Sequence, residues 1–285
     1  MEATFRPGTV NDAMACGTIC YEAFKVIAEQ HNFPPDFPSA EVAVGLLTMV
    51  LARKDVYSVV AELDRRVVGS NFLWEGDTIA GVGPITVLPA AQNSSIGRQL
   101  MELILDRAHA QRFVGVRLVQ AAYHNRSLSM YAKLGFDARE LLSVLQGPAL
   151  ELHLPGYAVR SAAVGDLDAC NRVCLSVHGH DRSRDVADAI AQGTARVVER
   201  GGRVTGYATN LGYFAHAVGQ TNEELKALIG AAPAFVGPGF LLPTRNAELF
   251  RWCLAHGLRV VHPMTLMSRG LYQKPAGAFL PSVLY

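Results

Sequence analysis

The sequence predicts a mixed α/β protein built from two tandem domains, each an α+β mixed sheet carrying helices. Length is the first observation behind this: 285 residues, half apolar and 18% charged, are enough to bury two cores of ordinary size. The second is an internal repeat. Laying "FRPGTVNDAMACGTIC" (Phe5 to Cys20) over "VRSAAVGDLDACNRVC" (Val159 to Cys174) aligns Arg6 with Arg160, Asp12 with Asp166, and Cys16 and Cys20 with Cys170 and Cys174. The third is that the match resumes downstream, where "ELDRRVVG" (Glu62 to Gly69) resembles "ERGGRVTG" (Glu199 to Gly206), each reading as strand, tight turn and strand.

The elements follow in order. Each copy opens with a short strand, then a helix started by Asn11-Asp12 or Gly165-Asp166, where an acid suits the positive end of the helix dipole. The hairpin comes next. In the first copy a strand from Gly83 to Leu88 leads through Pro89 into a helix whose Ile96, Leu100, Leu103 and Ile104 share one face. A strand "VRLVQAAY", a helix "SLSMYAKL" and a turn at Gly135 close the unit. The stretch "LQGPALELHLPGY", with Pro148, Pro155 and Gly156, carries the best boundary, so the domains are expected at 1–154 and 155–285. The tail "MTLMSRGLYQKPAGAFLPSVLY" is too apolar to hang in solvent and is expected to pack on the body or close a cleft.

Composition excludes several partners. A formal net charge of +1 gives no basic stripe for nucleic acid and no polybasic membrane anchor. The longest nearly unbroken apolar run, Val42 to Ala52, is far short of the roughly 20 residues that span a bilayer, so no membrane contact is expected. The opening "MEATFRPGTVND" has neither the charged nor the apolar region of an export signal, and a cytoplasmic chain is expected. Five cysteines, an odd number, fit reduced thiols. Their C-x-x-x-C spacing suits zinc on a helix face, but buried thiols on an apolar face account for it equally. "SVHGHDRSRD" offers His178, His180 and Asp181 without a further ligand, so no metal is expected.

The segment "VLPAAQNSSIGRQLM" carries the chemistry. After an extended strand, the backbone from Asn93 to Gly97 turns sharply into a helix and leaves several N–H groups without intrahelical partners, a natural anion site. This segment resembles the GNAT superfamily of N-acetyltransferases, acyl-CoA-dependent enzymes whose Q/R-x-x-G-x-G/A signature lies at the acetyl-CoA pyrophosphate. Gln92 and Gly97 match; Ser95 stands in place of the first glycine, costing roughly 1 kcal/mol if that position needs φ > 0. "HNRSLSMYAKLGFDA" (His124 to Ala138) resembles the family's N-x(5)-Y-x-x-x-G-F ending, with Asn125, Tyr131 and Gly135-Phe136 in place. The resemblance covers nearly all of residues 3–145 and implies two tandem GNAT-like domains packed together.

It further implies acetyl-CoA as co-substrate, held by Gln92, Asn93, Ser94, Ser95, Ile96, Gly97 and Arg98, with Asn125 and Tyr131 from the following helix. In GNAT enzymes the strand before the loop splays from its neighbour, so that backbone groups pair with pantetheine and one N–H polarises the acetyl carbonyl; Thr86, Val87 and Leu88 hold those positions. Tyr131 is the implied acid for the leaving thiolate, since a phenol with an ordinary pKa of about 10 is protonated at neutral pH. Glu22, Glu29, His31, Glu75, Tyr123 and His124 are all candidate bases, with Glu29 and His31 favoured because the loop after the first helix borders the acceptor.

The second copy departs from this pattern. Its loop reads "HAVGQTNEELKALIG", without the glutamine–glycine spacing and with Glu223 and Glu224 at the helix start, where acids repel a pyrophosphate. Counting back from Gly257 puts Cys253 where Tyr131 stands. A degenerate domain that helps to shape the acceptor pocket is expected. The resulting expectation is an N-acetyltransferase for the amine of a small molecule or peptide, acting as monomer or homodimer. The alternatives are a non-catalytic acyl-CoA binding or sensing protein, separable by turnover, and a purely structural protein, separable by failure to bind acetyl-CoA.

Overall fold

The computed structural model describes residues 2–284. The chain divides into two compact units, chiefly 2–118 with 123–137, and 119–122 with 138–283. Along the chain run β1 (Thr4–Pro7), α1 (Ala13–Gln30), α2 (Ala40–Ala52), β2 (Val56–Leu63), β3 (Arg66–Trp74), β4 (Ala80–Val82), β5 (Thr86–Val87), α3 (Ile96–Ala110), β6 (Gly115–Ala121), α4 (Asn125–Lys133) and β7 (Asp137–Gln146). There follow β8 (Ala158–Ser161), α5 (Leu167–His178), α6 (Ser183–Ala191), β9 (Arg196–Arg200), β10 (Arg203–Ala208), β11 (Ala217–Gly219), α7 (Asn222–Ala231), β12 (Phe240–Pro243), α8 (Ala247–Ala255), β13 (Arg259–Gly270) and β14 (Ala278–Leu280).

In the first unit the strands run in the order β1-β2-β3-β4-β6, antiparallel except for the parallel step from β4 to β6. The β2–β3 hairpin turns through Asp64 and Arg65, both at positive φ (48° and 62°), as a two-residue turn matched to strand twist requires. Cys16 and Cys20 of α1 lie buried with Leu47, Val60 and Phe72, and the thiols are free. In α3, Ile96, Leu100, Met101 and Ile104 are buried, whereas Leu103 is only half-buried: the inward stripe runs one position aside from the expected one.

The second unit repeats the β1-β2-β3 part of this plan as β8-β9-β10, continued by β11 and β14 and antiparallel throughout, with Gly201 and Gly202 (φ 58° and 72°) at the hairpin turn. The tail is ordered, since β14 pairs with β11 along Ala217↔Leu280 to Gly219↔Ala278. A second group, β13-β7-β12, places Phe240 opposite Leu145 and Pro243 opposite Leu142. Thus β7, which precedes residue 155, packs with the second unit, so the boundary in the duplicated sequence and the division between compact units fall at different places.

The duplication is visible in one repeated network. Arg6 donates from Nη1 and Nη2 to the two carboxylate oxygens of Asp12 (2.9 and 2.8 Å) and from Nε to Glu62 (3.0 Å). Arg160 makes the same bidentate bond to Asp166 (2.7 and 2.8 Å) and the same Nε contact to Glu199 (3.0 Å). In both copies the acid also accepts a backbone N–H three residues earlier, from Thr9 or Ala163, at 2.8 Å. The node closes the 3-10 turn that starts α1 or α5, and the Arg6 guanidinium holds the Asp12 carboxyl down at about 2.

Candidate active site

The site of the first unit begins where the strand expected over Gly83 to Leu88 is reduced to β5, Thr86–Val87, preceded by a separate strand, β4. Up to Val82 the chain pairs with β3 on one side and with β6 on the other, Ala80 opposite Val116 and Gly81 opposite Arg117. Beyond the Gly83–Pro84 step, β5 keeps only β3, Gly69 opposite Val87 and Ser70 opposite Thr86. Leu88 N–H donates to Val68 O at 2.8 Å, so by the alternation of strand hydrogen bonds Thr86 and Leu88 face β3 and Val87 faces away from it. Of the three expected strand residues, Val87 is therefore the one that offers its N–H away from the sheet. Its carbonyl accepts from Gln92 Nε2 at 3.1 Å.

The loop then makes two left-handed turns, Asn93 at φ 67° and Ser95 at φ 64°, before α3 starts at Ile96. Serine thus occupies the conformation for which glycine is preferred, at a cost of about 1–2 kcal/mol. Ser94 donates to Ala91 O, and Ser95 Oγ accepts from Gln99 at 2.8 Å. Neither hydroxyl caps the helix, no acid lies in its first turn, and Asn93, Ser94 and Ser95 are exposed. The first turn of α3 is thus left without a side-chain cap, at the positive end of the helix dipole. A Cβ on Gly97 would meet Val87 Cγ2 at 3.7 Å and Met130 Sδ at 3.9 Å, ordinary contacts, so the protein itself does not demand glycine there. Arg98 points to solvent and pairs with Glu102.

Arg126 is a residue the motifs did not single out. From the first turn of α4 it donates to Gln92 Oε1 (2.9 Å) and Asn93 Oδ1 (3.1 Å), clamping the loop and placing an exposed guanidinium over it. The signal was its position beside Asn125, which is itself exposed at the head of α4.

Tyr131 is buried in α4, 5% exposed, with its ring edge-on to Phe136 at 6.1 Å. Burial pushes its phenol up to about 12, with the nearby Ser127 acting the other way. Ser127 Oγ lies 2.8 Å from His124 Nδ1. Burial, with the charges of Arg126 and His31, holds the His124 imidazole down at about 4.

The candidate bases fall into two groups. Glu75 is bidentate to Arg107 at 2.7 and 2.9 Å, Glu22 is exposed, and Glu29 is exposed and faces Lys25 at 3.8 Å. By contrast, His31, which bonds Ile27 O through Nδ1, has its ring 5.2 Å from that of Tyr123, and Phe33 stacks on Tyr123 at 4.4 Å with only 9° between planes. Asp36, from the same α1–α2 connection, acts electrostatically on Tyr123; burial pushes its carboxyl up to about 6 and the Tyr123 phenol above its usual range. Sequence reading passed over Asp36, although an acid set between prolines and phenylalanines in "FPPDFP" is the signal of a carboxyl in apolar surroundings.

The second unit closes the corresponding features. Thr221 Oγ1 accepts from Glu223 N–H at 3.2 Å and Glu224 Oε2 accepts from Thr221 N–H at 2.8 Å, a reciprocal cap made by the chain itself. Glu224 is buried at 1% exposed, and Lys226 spans Glu223 and Glu248. A cleft of about 550 Å³ beside this helix start is lined by Thr221, Asn222, Arg245, Asn246 and Glu248. Cys253 is fully buried, its thiol pushed up to about 12. Among the described residues no group of His, Cys, Asp or Glu is arranged to hold a metal, and no helix is long and apolar enough to cross a membrane. Asp181, just before α6, accepts from Ser183 N–H at 2.9 Å.

The model of the Acetyltransferase (GNAT) family matches residues 23–136, from α1 to the end of α4. The IAA acetyltransferase of Azospirillum brasilense is 31% identical over 118 residues, 40% of this chain and 76% of that protein. This chain belongs to the GNAT family of acetyltransferases. The family match lies in the first copy, and the likeness in fold extends over both. A candidate acetyltransferase from Pyrococcus horikoshii, 16% identical, superposes with a TM-score of 0.73 over 96% of this chain and 91% of its own. A tandem GNAT protein from the clavulanic acid biosynthesis pathway, 13% identical, covers 94% of this chain and 98% of its own with a TM-score of 0.56. As a GNAT chain it therefore carries its family motifs in one copy and the tandem fold in two.

Proposed function

We propose that this GNAT chain transfers an acetyl group from acetyl-CoA to the amine of a small molecule or peptide, with the chemistry in the first copy. The observation that carries this is the strand opening after Val82, which turns the Val87 N–H away from β3 beside a loop whose helix start is left for an anion and clamped by Arg126. Acetyl-CoA supplies the thioester. The N–H groups around Ser95 to Arg98, together with Arg126, hold the pyrophosphate; Val87 polarises the carbonyl; Asp36 takes a proton from the incoming ammonium; and Tyr131 protonates the thiolate. Asp36 suits this role because a carboxyl raised to about 6 takes up and releases protons near neutrality. The Phe33–Tyr123 stack beside it gives an apolar wall, which favours an amine on an apolar or aromatic stem.

The test is release of free thiol from acetyl-CoA with a panel of amines: spermidine, phenethylamine, glycinamide and a tripeptide. Turnover with any of them, above the rate without amine, supports the reading. Tight binding of acetyl-CoA with no turnover across a broadened panel would favour a non-catalytic acyl-CoA sensor instead.

A further inference from the structure

The apolar run from Val42 to Ala52, too short to span a bilayer, lies in α2, and the fold leaves one face of that helix in solvent. Of its 13 residues only Glu41 is charged. Ala43, Leu47 and Val50 are buried with Cys16 and Cys20 of α1 and Val60 and Phe72 of the sheet, which accounts for the inner face. The outer face carries Val42 (49% exposed), Gly45, Thr48, Met49 (64% exposed) and Ala52, at helical spacing and without a charge. Other helices behave differently. On α3 the exposed positions include Arg98, Asp106 and His109, and α6, the counterpart of α2 in the second copy, sets Arg184, Asp185 and Asp188 around its buried Val186 and Ala189. A helix that is apolar all round belongs in a covered position, and an exposed apolar face marks an association site.

Two glycines separate the inner face from the outer one. A Cβ on Gly17 of α1 would run into the backbone of Val44, so the crossing of α1 and α2 requires glycine there. A Cβ on Gly45 would meet nothing within 4 Å, and its φ is not positive. Nothing inside the chain therefore asks for glycine at Gly45, in the middle of a helix, where glycine is among the poorest formers. What it supplies there is a notch on the outer face. Met49, one turn further on, stands beside that notch as a knob.

We propose that this face is the interface of a homodimer, with α2 of a second copy of the chain packed antiparallel on it across a two-fold axis between Gly45 and Met49. In that register Met49 of each copy enters the Gly45 notch of the other, and Val42 lies opposite Ala52, so that large meets small at each contact. The charges agree. Arg53 is held by Asp55 at 2.9 and 2.7 Å, and exposed Lys54 just past the end of the face comes beside Glu41 at the start of the other copy's face, twice. A parallel pairing would instead set Glu41 beside Glu41. Because the same patch serves both copies, the interface closes at two chains. A membrane surface is the poorer occupant, since no basic residue lines the face between Glu41 and Ala52.

Sedimentation velocity on the full-length protein tests this. Wild type is expected at about twice the 30.7 kDa of one chain, and a monomer persisting into the high micromolar range overturns the proposal. Met49→Glu and Gly45→Leu, each checked for folding by circular dichroism, are expected to raise the dimer dissociation constant roughly tenfold or more. If one of them fails to fold the other decides, and unchanged association in a folded variant overturns the interface. Glu41→Lys should weaken the dimer and Glu41→Lys with Lys54→Glu should restore it; no rescue overturns the register. Oxidative crosslinking checks the direction, because the native cysteines are buried and do not compete. In the antiparallel register two copies of Thr48→Cys lie about 3 Å apart along the helix axis and crosslink, whereas two copies of Ala52→Cys lie about 15 Å apart, beyond the roughly 7 Å reach of a disulfide. Crosslinking of Ala52→Cys as readily as Thr48→Cys overturns antiparallel pairing. A monomer that sediments with anionic lipid vesicles, and loses this in Met49→Glu, assigns the face to a membrane and overturns the homodimer.

Discussion

Two helices start after corresponding strands, α3 after β5 and α7 after β11, and they treat their first N–H groups in opposite ways. At α3 the chain reaches the helix through left-handed Asn93 and Ser95, spends its hydroxyls on Ala91 O and Gln99, and leaves the helix start uncapped. At α7 it arrives extended, and Thr221 and Glu224 cap each other's backbone at once. The first is strained and open; the second is relaxed and closed. The difference teaches what two corresponding helix starts do with their N–H groups: one that satisfies itself has nothing left for an anion and its acids disfavour one, whereas one left uncapped keeps those donors available. The Arg–Asp–Glu node survives in both copies because its work is structural and equally needed in each.

The largest test of this contrast sets Tyr131 against its counterpart Cys253. Tyr131→Phe keeps the packing on Phe136 and removes one hydroxyl, so kcat should fall about 10²–10⁴-fold with melting temperature and acetyl-CoA affinity nearly unchanged. Cys253→Ala should do the reverse, lowering stability by roughly 1 kcal/mol through a small cavity while turnover per folded molecule stays intact. Wild-type kcat in Tyr131→Phe would remove the assigned role.

Next comes cofactor stoichiometry. Calorimetry is expected to find one acetyl-CoA per chain, and two equivalent sites would overturn the degeneracy of the second copy. Within the first copy, Gly97→Val and Arg126→Ala should each weaken acetyl-CoA binding by about 1–3 kcal/mol, the scale of a charge-assisted hydrogen bond. A Cβ at Gly97 meets only ordinary contacts, so such a loss with an intact fold reports on the ligand's approach and not on packing. Substituting Glu223, the Lys226-paired acid of the closed loop, should leave that affinity untouched.

The acceptor side is probed by pH. Desolvation raises the Asp36 carboxyl to about 6, and Tyr123 and Cys20 are among the titratable groups that feel it. If it is the base, kcat/KM rises as pH climbs through about 6, and Asp36→Asn abolishes that limb. The stability sign is opposite. A carboxyl raised in the folded state favours folding when protonated, a contribution present below the unfolded pKa of about 3.9 and lost as pH rises through about 6. Asp36→Asn should therefore gain about 1–2 kcal/mol at pH 7.5 and nothing near pH 3.5, measured as denaturant midpoints.

Much of this contrast was legible in the residues, because repeats and caps act locally. The aligned Arg6 and Arg160 do make the same node, and Glu223 and Glu224 do stand in the first turn of α7. What stayed hidden depends on contacts distant in sequence. That β7 pairs with β12 follows from strand partnership nearly a hundred residues away, which periodicity does not encode. The strand expected over Gly83 to Leu88 shortened to β5, and β4 before it went unread, because pairing with β6 ends at β4 while the following sequence still reads as extended. Arg126 and Asp36 were missed for a similar reason: a clamp is defined by Gln92 and Asn93 across the site, and a raised carboxyl by what covers it.

The smallest expected effect measures the strain in the open loop against the relaxation of the closed one. Thr221→Ala removes the acceptor for Glu223 N–H and the hydroxyl bonded to the buried Glu224, and should lower stability by about 1 kcal/mol, as loss of a threonine cap does. Ser95→Gly acts differently. Glycine relieves about 1 kcal/mol of left-handed strain at φ 64°, but it frees the unfolded chain by about 0.4–1 kcal/mol and gives up the exposed bond from Gln99. These terms nearly cancel, so the melting temperature should move by less than a degree or two. Acetyl-CoA affinity then carries the information. If the loop holds phosphate through its backbone alone, Ser95→Gly binds as tightly as wild type; a drop of tenfold or more would assign the Ser95 hydroxyl itself to the phosphate and make the serine a gain of contact rather than a tolerated departure from glycine.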